Sequence, residues 1–271
     1  MSADKRAIGI FDSGVGGLTV LKEIERLLPY ESIIYFGDTA RVPYGPKSRE
    51  TIERYTLENT IFLLEKNIKL LVVACNTASA YGIEKLKRIF AVPIVEVIMP
   101  GAENLVFTTK NKKAAILATK ATVASEAYPK AIHALDPHIE VLSIACPLLT
   151  PMIEEQMIDH PALQLMLREY LKPVKERECD TILLGCTHYP LIERIIAKEM
   201  DHKVHIVNSA SLCALKTAEL LEFFNLKNGR KGTPNVQFYV SDDPLKFQEM
   251  GQRFLERPIA NVTRIPLRSL C

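Results

Sequence analysis

Two thiols in matching settings carry the chemistry of this sequence. Cys75 follows the apolar run Leu70-Leu-Val-Val-Ala74, and Cys186 follows Thr181-Ile-Leu-Leu-Gly185. Small polar residues come next, Asn76-Thr77 in one case and Thr187-His188 in the other, before a stretch of helical periodicity. A short run rich in Val, Ile and Leu, bounded by turn residues, predicts a buried strand. Each thiol is therefore placed at the carboxyl end of a strand, just ahead of a helix. The helix field there stabilises thiolate, and open α/β sheets bind their ligands at that edge. One buried cysteine is commonly inert core, but two in equivalent places point to a shared task. Cys146, Cys179, Cys213 and Cys271 lack this setting and read as structural or incidental.

A pair of such thiols suits inversion at a carbon centre without a cofactor. One group removes a proton from one face and the other supplies a proton to the opposite face. A thiol with an ordinary pKa of about 8.5 reaches both protonation states near neutral pH. Each needs a tuning partner, with Asp12 available near one thiol and His188 near the other. The second constellation is Asp12-Ser13-Gly14-Val-Gly-Gly17. Thr19 stands where the dinucleotide fingerprint requires its last glycine, and no Gly-Lys-Ser/Thr follows, so neither nucleotide motif is met. A carboxylate in the turn would repel phosphate but could meet an ammonium, with Ser13 hydrogen-bonding beside it. Asn76, Thr77, Thr187 and backbone N–H groups at helix starts could hold carboxylates. Cys186-x-His188 offers only two metal ligands, and no established zinc spacing is present.

The elements that must position these residues alternate along the chain. Strands are predicted at Ala7–Phe11, Ser32–Gly37, the first cysteine run and Ile94–Val97, with helices carrying Leu18, Leu21 and Ile24, then Ile52 and Leu63 behind a Ser48 cap, then Ser79–Phe90. Met99-Pro-Gly-Ala102 reads as a crossing point, after which the alternation restarts at Ala114–Ala118. There follow a helix to about Leu135, a strand at Glu140–Ile144, a helix carrying Glu154 and Glu155, another from Pro161 to about Glu178, the second cysteine strand and a helix over Leu191–Met200. Val204–Val207, a helix from Ser209, a polar loop at Asn228–Pro234, Val236–Val240, a helix capped by Asp242 or Asp243, and Asn261–Ile265 complete the chain. Ala7/Ala114 and Cys75/Cys186 are offset by nearly the same interval, which argues for a duplicated half. The expected fold class is α/β, with two similar parallel-sheet domains related by a pseudo-two-fold axis and a cleft between them.

The bulk properties narrow the partners. The chain has 271 residues, enough for two domains, with 48% hydrophobic residues and a net charge of +2. That charge is too weak to argue for nucleic acid or an anionic membrane. No uncharged run reaches the length of a membrane span. The charged start Met1-Ser-Ala-Asp-Lys-Arg6 does not read as a signal peptide, so a cytoplasmic location with reduced cysteines is expected.

Four motifs carry a family resemblance: Gly9-Ile-Phe-Asp-Ser-Gly-Val-Gly-Gly-Leu-Thr19, Gly37-Asp-Thr-Ala-Arg-Val-Pro-Tyr-Gly45, Ala74-Cys-Asn-Thr-Ala-Ser79 and Gly185-Cys-Thr-His-Tyr-Pro190. With them the chain resembles the cofactor-independent glutamate racemases, within the wider aspartate/glutamate racemase family, over essentially its whole length. The first two motifs point to glutamate rather than aspartate. The resemblance implies interconversion of L-glutamate and D-glutamate, the latter destined for peptidoglycan, with no cofactor and no metal. It implies that Cys75 takes the α-proton from D-glutamate and Cys186 from L-glutamate, assisted by Asp12, His188 and Glu154. Ser13, Tyr44, Gly45, Asn76, Thr77, Thr122, Thr187 and His188 match substrate-contacting positions. Domains of 1–98 with 209–271, and of 99–208, are implied, and homodimers are frequent in the family. Asn208-Ser209 departs from the usual Asp-Ser, at a helix start. An aspartate or other amino-acid racemase of the same fold is the nearest alternative. A non-catalytic amino-acid-binding protein would need no second thiol, and a thiol-redox enzyme would be expected to carry C-x-x-C.

Overall fold

The computed structural model describes residues 4–229 and 235–266. Met1–Ala3, the 230–234 part of the polar loop and Cys271 lie outside the described residues. The chain runs through β1 (Ile8–Asp12), α1 (Leu18–Leu27), β2 (Ile33–Gly37), α2 (Arg49–Glu65), β3 (Leu70–Val73), α3 (Asn76–Ile89) and β4 (Ile94–Glu96). It continues through α4 (Ile98–Thr108), β5 (Lys113–Ala118), α5 (Lys120–Ser125), α6 (Ala127–Leu135), β6 (Glu140–Ala145), α7 (Leu149–Glu154), α8 (Pro161–Glu176), β7 (Thr181–Gly185), α9 (Glu193–Glu199) and β8 (His205–Asn208). Last come α10 (Ser209–Phe223), β9 (Val236–Val240), α11 (Pro244–Leu255) and β10 (Val262–Arg264).

These strands form two parallel sheets, ordered β10-β9-β2-β1-β3-β4 and β6-β5-β7-β8. The order β2-β1-β3-β4 in the first is repeated by β6-β5-β7-β8 in the second, so the duplication read from the sequence is present in the topology. The first sheet is extended by β9 and β10, which return to it from the end of the chain. Strands β1, β2, β3 and β7 are buried along their whole lengths. Helices cover both faces, which is why these strands are uniformly apolar instead of alternating. One apolar cluster runs from Leu18, Leu21 and Ile24 of α1, through Cys213 and Leu221 of α10, to Ile182 and Leu184 of the second sheet. No helix among the described residues is long and apolar enough to cross a membrane.

Several elements differ from the reading by periodicity. Met99-Pro-Gly-Ala102, the expected crossing point, lies in the first turns of α4, the helix that leads from β4 of the first sheet to β5 of the second. Pro100 lacks only an N–H that a first turn does not use, and the Glu96 carboxylate accepts the free N–H groups of Ile98 and Met99 at 2.5 and 2.8 Å. The helix after Cys75 starts at Asn76, three residues earlier than Ser79, because Cys75 itself is the N-cap residue. The segment read as one helix to Leu135 divides at Glu126, whose φ is 56°. Glu155 caps α7 instead of lying within it. The caps at Ser48 and Asp243 are made as expected, accepting from the N–H groups of Thr51 at 3.3 Å and Lys246 at 3.0 Å.

Candidate active site

Register brings the chemistry together. Asp12 pairs with Gly37, and Phe11 with Val73, so Ser13, Asp38 and Cys75 follow one row across the first sheet. In the second sheet Ala118 pairs with both Ala145 and Gly185, so Thr119, Cys146 and Cys186 follow the equivalent row. In each sheet the residues after the first and third strands flank the place where strand order reverses, the usual ligand position in such sheets.

Both rows open onto one cavity of about 230 Å³. Its wall includes Ser13, Tyr44, Gly45, Cys75, Asn76 and Thr77 from the first half, and Thr119, Lys120, Cys146, Thr150, Cys186, Thr187 and His188 from the second. Of the residues singled out in the sequence, Asp12, Thr122 and Glu154 are not in the wall; each stands behind it, bonded to a residue that is. Cys75 and Cys186 are 5% and 7% exposed, so both sulfurs are screened from bulk water.

The surroundings of Cys75 are compact and neutral apart from one carboxyl. Burial first, and the negative field of Asp12 second, push the Cys75 thiol up to about 12, against stabilisation of the thiolate by the Ala78 N–H and the Ser13 hydroxyl. Asp12 is fully buried and accepts from the Gly14 N–H at 3.0 Å and the Thr187 hydroxyl at 3.3 Å. Burial raises its own pKa, opposed by the charge of His188 and these hydrogen bonds. Gly17 is required here: a Cβ on it would lie 2.5 Å from the Asp12 Cβ and 2.9 Å from the Tyr35 hydroxyl. Gly16 is pressed equally closely against Thr187 and His188. Gly16 therefore lets the two halves approach each other, Gly17 lets the turn close over Asp12 and Tyr35, and no phosphate-binding role is needed to explain them.

Cys186 sits instead at the end of a relay. Its Sγ lies 3.5 Å from Thr150 Oγ1 and 3.7 Å from His188 Nδ1, while His188 Nε2 lies 3.0 Å from Glu154 Oε1. Burial works to lower the His188 pKa, but the hydrogen bonds and charges of Cys186 and Glu154 prevail and raise it to about 10. The imidazole is held on its edge against the Phe254 ring, centroids 5.7 Å apart. The protonated ring that this favours points one N–H at the sulfur facing the cavity and the other at the carboxylate behind it.

Neutral donors complete the wall. Asn76 Oδ1 accepts from the Tyr128 hydroxyl at 2.6 Å, whereas its Nδ2 is buried with no partner among the described residues. Leaving such a donor unpaired costs about 1–3 kcal/mol, which marks it for a ligand. Thr77, Thr119 and Thr122 form a ring of hydroxyls at 2.9 to 3.1 Å that joins the two halves. The wall segment Val42–Pro46 is clamped from outside. The Tyr44 hydroxyl donates to Asp38 and accepts from Asn59 Nδ2 at 3.0 Å. Arg41 binds Asp38 at 2.7 Å, Asn59 at 2.8 Å and Glu58, with its guanidinium 4.0 Å from the Tyr55 ring centre.

The wall also holds residues not expected from the sequence: the apolar Val42, Pro43, Pro46, Pro147 and Pro151, and, with chemistry to offer, Thr119, Lys120, Cys146 and Thr150. Cys146 stands in a sequence with no motif of the kind that marks Cys75 and Cys186. Its place is set by the register of β6 with β5, which no local pattern records. Thr119 is the counterpart of Ser13, each being the first residue after the first strand of its half, an equivalence set by the observed strand ends.

Comparison with known proteins agrees with this geometry. Residues 8–217 match the Asp/Glu/Hydantoin racemase family. A glutamate racemase of Geobacter metallireducens is 47% identical over 264 residues, covering 97% of this chain and 98% of that protein. The crystal structure of glutamate racemase isoform RacE1 from Bacillus anthracis superposes with a TM-score of 0.94 at 38% identity, covering 97% and 98% of the two chains. That of the Francisella tularensis glutamate racemase, in complex with D-glutamate, gives 0.93 at 38% identity, covering 98% and 99%. Full-length identity at this level, together with two strand-end thiols facing one cavity, leaves one conclusion: the chain belongs to the Asp/Glu/Hydantoin racemase family of isomerases.

Proposed function

We propose that this enzyme interconverts L-glutamate and D-glutamate by passing the α-proton between Cys75 and Cys186. The observation that carries the reading is the presence of both thiols in the wall of one small cavity, at equivalent positions of two repeated sheets. A planar carbanion-like α-carbon held between them is deprotonated from one side and reprotonated from the other. Cys186, with His188 and Glu154 behind it, receives the proton of L-glutamate, and Cys75, with its raised pKa, donates to the opposite face. The reverse reaction exchanges the roles, with Asp12 acting beside Cys75. The D-glutamate complex of the Francisella tularensis relative supports the choice of substrate.

A thiolate is a weak base for an amino-acid α-proton in water. The barrier is lowered by donors aimed at the carboxylate where charge develops and by exclusion of water from the closed cavity. Asn76 Nδ2, the hydroxyls of Thr77 and Thr187, and the N–H groups at the start of α3 serve the α-carboxylate. Gly45 and Thr119, with Thr122 behind it, serve the side-chain carboxylate, and Ser13 and Asp12 the ammonium. The domains are taken as 1–98 with 209–271, and 99–208, each built on its own sheet. D-glutamate made in the cytoplasm for peptidoglycan is the physiological role we assign, in a homodimer, and no cofactor is required.

The test is incubation with L-glutamate in D2O without pyridoxal phosphate, following optical rotation and α-deuterium together. Loss of rotation with deuterium entering the D-product is expected. Folded protein that leaves glutamate unchanged but racemises aspartate would move the assignment to that substrate.

A further inference from the structure

The charges around the cavity do not balance for an anionic ligand. Asp12 and Glu154 stand directly behind the wall, through Thr187 and His188 respectively. Among the wall residues only His188 and Lys120 can be cationic. His188 is 2% exposed, and both its ring nitrogens are engaged by Cys186 and Glu154. Its charge therefore answers groups already present in the protein. The remaining donors, Ser13, Asn76, Thr77, Thr119 and Thr187, are neutral; they orient a carboxylate without compensating its charge.

Lys120 has the opposite character. It is exposed at the rim as the first residue of α5, next to Thr119. None of the ion pairs among the described residues involves it. We propose that Lys120 is a specificity-determining residue at the mouth of the cavity, whose ammonium recruits a dicarboxylate carrying net negative charge. The inference deepens the glutamate reading and rests on it. Glutamate carries two carboxylates and one ammonium at neutral pH, and it enters a site backed by Asp12 and Glu154. A rim cation offsets that repulsion during entry, and a field of this kind raises capture of charged substrates while fading with salt.

The experiment compares wild type with Lys120→Arg, Lys120→Ala and Lys120→Glu, measuring kcat/KM for L-glutamate at low and high ionic strength. A single exposed charge acting through water is worth about a fivefold change. Lys120→Ala is therefore expected to lose about fivefold and Lys120→Glu about twentyfold at low salt, while Lys120→Arg stays near wild type. The fall of wild-type kcat/KM with salt should flatten in Lys120→Ala and reverse in Lys120→Glu. Calorimetric titration with glutarate, a dicarboxylate that cannot be racemised, reads the same charge without turnover. Wild type that racemises glutamate alongside a Lys120→Glu variant of equal kcat/KM and equal salt dependence overturns the role of Lys120 alone. Wild type that is silent with glutamate overturns the glutamate reading, and equal glutarate affinity in wild type and Lys120→Glu then overturns the rim site too.

Discussion

The two halves present the same row of strand ends to the cavity but surround their thiols differently. Cys75 lies among buried, mostly neutral groups with Asp12 nearby, and its thiol is pushed up to about 12. Cys186 lies against an imidazole that Glu154 holds from behind, with the His188 pKa raised to about 10. In one half burial and Asp12 favour the protonated thiol; in the other, Cys186 and Glu154 favour the protonated imidazole. A symmetric scaffold has thus been given asymmetric side chains. The proposed two-thiol transfer needs that asymmetry, because in it the two groups must differ in protonation at the start of each turnover. Repetition of the fold supplies opposed geometry, and divergence of the flanking residues supplies the difference in charge.

The comparison breaks first at the sulfurs. Cys75→Ala and Cys186→Ala are each expected to lower racemisation by about three orders of magnitude or more, since in the proposed mechanism either removes one of the two proton carriers. Polarimetry on folded protein measures it, and near-wild-type turnover in either variant rejects the two-thiol assignment.

Next comes the relay. His188→Asn should lower kcat by about 10²- to 10⁴-fold, with a changed high-pH limb of the rate profile. Equal loss at all pH values would reduce His188 to a packing role. The same pair predicts a pH-dependent stability. The folded pKa of His188 is raised from 6.5 to about 10, so its contribution is fully present below about 6.5 and is lost as pH rises through 10. Glu154→Gln should therefore cost about 1–3 kcal/mol in urea unfolding at pH 6, and much less at pH 10.5. A cost independent of pH would place the Glu154 effect elsewhere.

A smaller effect is expected from the clamp outside the wall. Arg41→Ala removes the fork that joins Asp38, Glu58 and Asn59 around Tyr44. KM should rise about tenfold with a smaller change in kcat, as remote positioning is lost. Arg41→Lys should restore little, because one ammonium cannot replace a planar fork. The smallest effect belongs to the helix start at Asn208, whose side chain accepts from the Ala210 N–H at 3.0 Å. Aspartate caps as well as asparagine, but Asn208 Nδ2 also donates to the Glu193 carboxylate at 3.4 Å, so Asn208→Asp should cost about 0.5–1 kcal/mol in thermal or urea unfolding at neutral pH and less once the carboxylates are protonated.

Local pattern and spacing in the sequence determined a great deal. The apolar runs before Cys75 and Cys186 had to be buried strands, because uninterrupted Val, Ile and Leu have no other stable place in a chain of this composition. The near-equal offsets of Ala7/Ala114 and Cys75/Cys186 marked the duplication, and the sheet order repeats it. What the sequence could not decide was anything set by register or by distant approach. Met99-Pro-Gly-Ala102 does mark the crossing between the sheets, but its helical conformation depends on contacts: a first turn tolerates proline, and Glu96 supplies acceptors for the free N–H groups. Cys146 looked incidental because its loop carries no motif, yet pairing of Ala145 with Ala118 puts it beside Thr119 in the cavity wall. Asp12 and Glu154 were recognisable as residues, but their places behind the wall follow from contacts with Thr187 and His188, in distant parts of the chain. Motifs record what one segment needs from its neighbours in sequence; the protonation of each thiol depends on burial and charge brought in from elsewhere, and these exist only once the two sheets close on the cavity.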